Sequence, residues 1–143
     1  MVFKTGCWSF ILVGTGHIVT SIFIPNTPER IKIVQEMKNF SISMSGTESN
    51  LYLFHEGFSL MMGILLIGYG LLNLSLTKAS TVPENKIIII NLTVSLIAFV
   101  ISIKQFFIVP VIFLCIASLS FHFSYTTQSL LVIFGNKKRY RNK

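Results

Sequence analysis

Charged side chains are scarce in this chain, and their scarcity excludes a water-soluble fold. Only 12% of the 143 residues are charged, whereas 52% are hydrophobic. A soluble domain carries roughly 25% charged residues. Lipid must therefore be the solvent, where a backbone can satisfy its polar groups only as helices or as a closed barrel. Because the apolar runs are long and unbroken instead of alternating residue by residue, we predict an all-α fold.

Cysteines are equally few, and they argue against redox and metal chemistry. Cys7 and Cys115 are the only two, and no C-x-x-C motif links them to a redox pair or a zinc site. In the topology predicted below they lie at different depths, whereas a disulfide needs Cα atoms within about 7 Å. No H-x-x-x-H or E-x-x-H spacing occurs either, so we predict no metal and no cofactor.

Basic residues outnumber acidic ones, but their position argues against a nucleic-acid partner. The formal net charge is +7, and the tail at 135–143 holds five lysines and arginines. Nucleic-acid binding would also require interleaved aromatic residues and a domain to present them. We predict instead that the tail contacts anionic lipids of the inner leaflet, at roughly 1 kcal/mol for each basic residue.

Four apolar runs are each long enough to cross a bilayer, which takes about 20 helical residues. We therefore predict one integral membrane domain, 1–143, folded as an antiparallel bundle of four transmembrane helices. The predicted spans are about 5–24, 51–76, 86–103 and 106–134.

The distribution of lysine and arginine orients this bundle. With four spans both termini lie on one side, which holds eight basic residues against four on the other. Because basic residues favour the cytoplasmic side, we predict that both termini are cytoplasmic.

A removable signal peptide is the alternative for the first run. Gly14 to His17 interrupt that run and no cleavage site follows, so we predict a retained helix.

The outer loop at 25–50 begins with the pattern of a short helix. Thr27 followed by Pro28 supplies a hydroxyl cap and then a proline at the first helical position. Apolar residues then recur at near-helical spacing among charged ones, at Ile31, Val34, Met37 and Phe40. The pattern predicts an amphipathic helix on the outer membrane surface; the alternative is a lid over the bundle mouth.

The remainder of this loop, 41–50, is polar and contains Gly46. We predict that it is irregular, and that Ser49 or Asn50 caps the second span.

Polar and small residues recur every three or four positions within each span, so that each span has one polar face. Helices in lipid associate through small residues and interhelical hydrogen bonds, and we predict that the four faces meet in a partly polar interior. The stripes are Gly14, His17 and Ser21; Glu56, Ser59, Gly63, Gly70 and Asn73; Asn91, Ser95, Ala98 and Ser102; and Cys115, Ser118, His122, Tyr125 and Ser129.

Glu56 is the only acidic residue inside an apolar run, and the three histidines also lie in such runs. An ionisable group within a span is a candidate functional site by default. If the stripes converge, a ladder descends from Glu56 near the outer face to His17 and His122 near the midplane. The candidate ligand-binding residues are His17, His55, Glu56, Ser59, His122 and Tyr125.

Three interpretations of this ladder stay open. In the first its role is structural, with Glu56 and the histidines as hydrogen-bonded groups of a membrane core. In the second they exchange protons in a site for a small ligand, a proton or a lipid substrate. In the third, His17, Glu56 and His122 are ligands of a metal, although no ligand spacing in the sequence favours this.

The first half of the chain resembles families of small bacterial four-helix membrane proteins that have no known chemistry. The resemblance lies in the Gly-His of the first helix, the exit at Pro25, a loop with Met37 and Phe40, and the run from Leu51 to Leu60. It implies the four-helix fold and a bacterial cytoplasmic membrane, and it implies no activity.

The sequence therefore favours a non-enzymatic multi-pass membrane protein. We expect it to bind a small ligand, a lipid or a partner subunit in a polar bundle interior, with a homo-oligomer as one form of such a partner. The alternative is a small membrane enzyme or a proton-coupled carrier that uses Glu56, His17 and His122. No established enzyme signature supports the alternative.

Overall fold

The computed structural model describes residues 2–77, 83–105 and 108–141, without the side chains of Met44 and of 132–141. In chain order its elements are α1 (Val2–Phe23), α2 (Pro28–Asn39), β1 (Ser41–Met44), β2 (Thr47–Asn50), α3 (Leu51–Leu76), α4 (Asn85–Gln105) and α5 (Ile108–Arg141). Parts of three predicted segments lie outside the described residues: the start of the fourth run at 106–107, the connection between the second and third spans at 78–82, and the end of the tail at 142–143.

Within the described residues, four helices are long and apolar enough to cross a membrane: α1, α3, α4 and the portion Ile108–Leu131 of α5. The predicted all-α chain with four candidate spans is thereby confirmed. α5 exceeds the predicted span, since it continues to Arg141 and makes the first part of the basic tail helical. Lysine and arginine are good helix formers and are favoured near a helix C-terminus, which explains the extension.

The helix start predicted at Thr27 and Pro28 is confirmed, since the Thr27 hydroxyl accepts a hydrogen bond from the backbone N–H of Arg30. The side chain of Arg30 reaches back toward α1, and its guanidinium donates to the carbonyl of Ile24, the residue that follows α1. Lys38, in the last turn of α2, lies 5.1 Å from the ring centre of Tyr52 in α3. Side chains of α2 therefore link the end of α1 to the start of α3.

The prediction that 41–50 is irregular is wrong, because these residues form an antiparallel hairpin. Ser45 and Gly46 at its turn have φ of 50° and 82°. Positive φ at both central residues marks the type I′ turn, whose twist matches that of a two-residue hairpin. Asn50 then caps α3, as expected, by accepting from the backbone N–H of Leu53 at 2.9 Å.

α1 packs extensively against both α3 and α5, and α5 also packs against α4, so the spans are in contact in the order α3, α1, α5, α4. The apolar core lies where α1, α4 and α5 meet. Its aromatic centre is the fully buried Phe121 of α5, whose ring centre is 5.1 Å from that of Phe3 and 6.4 Å from that of Phe10. The other core members are Cys7, Ile88, Leu114 and Ala117.

α1 and α3 approach each other backbone to backbone. A Cβ added to Gly14 would lie 2.6 Å from the carbonyl oxygen of Gly63, and one added to Gly70 would lie 2.7 Å from the carbonyl oxygen of Cys7. Real Cβ atoms essentially never come within 3.0 Å of another atom, so glycine is needed at both places. Such close contacts between small residues hold helices together in lipid.

α3 and α4 are joined differently. Asn91 of α4 donates a hydrogen bond from Nδ2 to Oδ1 of Asn73 in α3 at 2.7 Å, and both side chains are buried. Among the described residues, other contacts between these two helices are few. The amide pair therefore fastens α3 to α4 near the end of α3 and leaves the rest of the two helices apart.

Candidate functional site

A cavity of about 190 Å³ lies between the four spans. Each span contributes two residues to its lining: Val13 and His17 from α1, Met62 and Leu66 from α3, Ala98 and Ile101 from α4, and Pro110 and Leu114 from α5. Of these eight, His17 alone has a polar side chain. An apolar cavity of about 150 Å³ in a protein core can stay dry and hold a benzene-sized ring. This cavity is therefore large enough for a small apolar group next to one imidazole.

His17 takes part in a small hydrogen-bond network between α1 and α3. Its Nε2 is 2.8 Å from Oγ of Ser59, and Ser59 Oγ is 3.2 Å from Oγ of Ser21. Ser21 in turn donates to the backbone carbonyl of His17 at 3.0 Å. The imidazole is thereby held at the cavity wall by Ser59 of the neighbouring helix, and Ser59 is in turn held by Ser21 of α1.

The close contact between α1 and α3 positions this network. His17 and Ser21 lie one turn apart on the face that includes Gly14, and Ser59 lies one turn before Gly63. Because Gly14 and Gly63 are in contact, Ser59 is brought within reach of both polar side chains of α1. The shared faces predicted for these five residues are confirmed.

The structure does not bring Glu56 into this network. Glu56 is exposed and accepts a hydrogen bond at 3.2 Å from the hydroxyl of Tyr52, one turn earlier in α3. It lies a turn beyond Ser59, which already contacts the last turn of α1, a helix that ends at Phe23. The adjacent His55 is exposed as well. The upper rung of the predicted ladder is therefore not formed, because α1 ends before it reaches Glu56.

The prediction that His122 and Tyr125 face the interior is wrong, since both are exposed. α5 buries a neighbouring stripe, which includes Ala117, Phe121 and Ser124, together with Ser118 of the predicted one. The two stripes have the same spacing, so the fit of the side chains decides between them. Apolar burial gives little drive in lipid, whereas Phe121 fits closely over Gly6, where a Cβ would lie 2.6 Å from the ring.

Most other polar residues of the interior are satisfied by their own helix. Ser95, Ser102 and Ser118 each donate to a backbone carbonyl three or four residues earlier, at 2.8–2.9 Å. These three residues lie on predicted polar faces, and the structure confirms that they are buried. Their hydrogen bonds indicate a structural role.

The metal interpretation finds no matching cluster in the structure. Within residues 2–77, 83–105 and 108–141 no three His, Cys, Asp or Glu side chains lie close enough together to hold a metal ion. Glu56 and His122, which that interpretation joins to His17, are both exposed. Cys7 is buried and both cysteines are free.

Seven of the eight lining residues were not among the sequence-based candidates. They are apolar, and in a membrane span an apolar side chain is equally suited to face lipid, a neighbouring helix or a cavity. Ala98 lies on the inward face predicted for α4, but an alanine in the sequence does not indicate that it borders a cavity. Only the polar residue of the cavity, His17, could be identified from composition.

No family model, curated protein or solved structure matches this chain. The cavity and the polar network at its wall are therefore the basis on which a function can be assigned.

Proposed function

We propose that this chain is a multi-pass membrane protein that binds an apolar ligand from the bilayer in the cavity between its four spans. The lining carries this proposal, because seven of its eight residues are apolar and the eighth is His17. A site for an ion or a polar metabolite would need several polar partners, since a buried polar group without a hydrogen bond costs several kcal/mol, about 2–7. An apolar ligand needs none and can use His17 to fix its orientation.

Access from the bilayer supports the same function. Met62 of α3 and Ile101 of α4 line the cavity and are exposed at the protein surface. These two helices make few contacts apart from the bond between Asn73 and Asn91. A ligand dissolved in the membrane can therefore pass between α3 and α4 into the cavity without crossing water.

The alternative of an enzyme or proton carrier that uses Glu56, His17 and His122 gains no support from the geometry. Glu56 and His122 are exposed, and neither makes a hydrogen bond with His17 among the described residues. Proton transfer requires groups within hydrogen-bond reach or joined through water. Ligand binding at His17 is therefore the function we favour.

We further propose how the bundle is placed in the membrane. Contacts of Cys7 with Gly70 and of Ser21 with Ser59 support an antiparallel bundle, since one pair joins the start of α1 to the end of α3 and the other the reverse. Both termini then lie in the cytoplasm of a bacterium, in keeping with the small four-helix families that the chain resembles. The basic tail contacts anionic lipids, and α2 lies on the outer membrane surface. A further subunit, including a second copy, is a proposed partner at the exposed faces.

Filling the cavity tests the proposal. The variant Ala98→Phe places a ring in the cavity, whereas Leu96→Phe adds the same ring to an exposed position of α4. Purified protein in detergent is heated with and without propylbenzene, an apolar probe of suitable size. Because a bound ligand stabilises the folded state by RT ln(1 + [L]/Kd), we expect the unfolding midpoint of wild type and Leu96→Phe to rise by several degrees.

Ala98→Phe is expected to unfold at or above the wild-type temperature without the probe and to gain nothing when the probe is added. Both phenylalanine variants are measured in the same detergent with the same probe. Any effect of the probe on the micelle therefore shifts their unfolding midpoints equally and cancels in the comparison. An equal rise in both variants, or no rise in wild type, would show that this cavity is not the binding site.

A further inference from the structure

The hydrogen-bond network at His17 determines which of its ring nitrogens carries the proton. Each serine hydroxyl has a single hydrogen to donate, whereas a backbone carbonyl can only accept. Ser21 lies 3.0 Å from the carbonyl oxygen of His17, so the hydrogen of Ser21 is used in that bond. Ser21 can therefore only accept in its contact with Ser59.

Ser59 must then donate its hydrogen to Ser21 across 3.2 Å. With that hydrogen used, Ser59 can only accept in its 2.8 Å contact with Nε2 of His17. Nε2 therefore carries a proton and donates it to Ser59. The opposite direction would leave the 3.0 Å contact between Ser21 and the carbonyl without a hydrogen, so only one direction satisfies all three contacts.

In a neutral imidazole with its proton on Nε2, the other nitrogen, Nδ1, is an acceptor. In the part of the chain that the structure describes, Nδ1 of His17 has no hydrogen-bond partner, and it is not among the buried atoms that lack one. It is therefore open to a partner from outside the protein. His17 belongs to the cavity lining, so a ligand bound there lies next to this side chain.

We infer that the ligand is an apolar molecule with a hydroxyl group, such as a membrane alcohol or phenol, that donates a hydrogen bond to Nδ1 of His17. This inference rests on the proposed binding function and adds the chemistry of the polar end of the ligand. A molecule whose polar end can only accept, such as an ether or an ester, brings its oxygen against the Nδ1 lone pair. The network thus selects donors over acceptors of the same shape.

A matched pair of probes tests this inference on the full-length protein in detergent. 4-Propylphenol donates a hydrogen bond, whereas 4-propylanisole has a methyl group in place of that hydrogen and differs little in shape. Binding is measured as the concentration dependence of the unfolding midpoint. We expect wild type to bind the phenol roughly tenfold more tightly, the effect of one net hydrogen bond.

Two variants distinguish the role of the acceptor, Nδ1 of His17, from the role of the serine network that fixes the proton on Nε2. His17→Gln offers an amide group to Ser59 but places no acceptor where Nδ1 was, so we expect its preference for the phenol to disappear while the anisole still binds. Ser59→Ala removes the acceptor of the Nε2 proton, so the proton is no longer fixed. We expect the preference of Ser59→Ala to fall between those of wild type and His17→Gln.

¹⁵N NMR of histidine-labelled protein provides a readout that does not depend on a ligand. Protonated and unprotonated ring nitrogens have well-separated chemical shifts, and the signals of His17 are those missing from His17→Gln. We expect an unprotonated Nδ1 and a protonated Nε2 in wild type. A proton on Nδ1, or equal affinity for the two probes, would overturn the inference and leave apolar binding intact. Failure of both probes to bind would overturn the proposed function as well.

Discussion

The two sides of α3 show two ways in which membrane helices can meet. On the side of α1 the backbones touch at Gly14 and Gly63, and a methyl group at either glycine would clash. On the side of α4 the described contacts are few, and a buried hydrogen bond between Asn73 and Asn91 joins the helices near one end. The interface between α1 and α3 is therefore closely packed. The interface between α3 and α4 is joined by one hydrogen bond near the end of α3 and is otherwise open.

The difference explains how α3 can hold Ser59 in a fixed position beside His17 and also leave an opening through which a ligand can reach the cavity. The α1 side holds the Ser59 hydroxyl 2.8 Å from His17 Nε2, which requires that the two backbones cannot slide. The α4 side leaves the space that Met62 and Ile101 border. A polar contact at fixed geometry next to an open apolar space is the arrangement that an oriented lipid-like ligand needs.

The largest loss of stability is expected where the close contact between α1 and α3 is disrupted. In Gly14→Ala the new methyl group would lie 2.6 Å from a backbone oxygen, so the helices must separate. We expect a loss of about 1–3 kcal/mol of stability, as for other overpacked sites, measured by unfolding in detergent. Binding of the phenol probe should weaken as well, since His17 and Ser59 move apart.

Gly16→Ala is the matched control, because a Cβ at Gly16 meets nothing within 4 Å. Alanine is favoured over glycine in a helix by roughly 1 kcal/mol, so this variant should be neutral or slightly stabilised. Equal losses in the two variants would contradict the close contact between α1 and α3.

A smaller change in stability is expected from the hydrogen bond that joins α3 to α4. In a double-mutant cycle of Asn73→Ala and Asn91→Ala, we expect a coupling of about 0.6 kcal/mol and at most roughly 1.7 kcal/mol, the range for polar contacts between helices in lipid. Thr93→Ala, at an exposed position of α4, should show no coupling to Asn73→Ala. A coupling of zero between the two asparagines would mean that α3 and α4 are held together by something else.

The smallest effect is expected at Glu56, which lies beyond the end of α1 and is exposed. In Glu56→Gln the amide oxygen can still accept from Tyr52, and the side chain is exposed. We expect a change in stability of less than about 0.5 kcal/mol, as at ordinary surface positions, and unchanged binding of both probes. A large loss would show that Glu56 has an interior partner and would revive the ladder of ionisable groups.

The spans, the caps and one helix contact could be predicted from the sequence because each depends on local patterns. Run length sets the four spans, Thr27 and Asn50 carry the side chains that cap helices, and spacing along α1 and α3 places His17, Ser21 and Ser59 on facing sides. These features need no knowledge of distant residues.

The rotation of α5 and the cavity could not be predicted, because both depend on fit between helices. Two stripes of α5 have the same spacing, and the choice of Phe121 over His122 is made by the space above Gly6 on another helix. The hairpin at 41–50 is hard to predict for a different reason. Its signal is only the Ser45-Gly46 turn, and the short polar strands on either side lack an apolar pattern.

The segment from Ile24 to Asn50 also affects the order in which the molecule folds. Since it forms α2 and the hairpin from neighbouring residues, and Arg30 ties α2 to the end of α1, little flexible chain is left between α1 and α3. The entropy lost on closing a loop grows with its length, and domains assemble from the N-terminus during synthesis. We therefore expect α1 and α3 to pair before α4 and α5 are inserted, which would form the His17 side of the cavity first and the lining contributed by α4 and α5 afterwards.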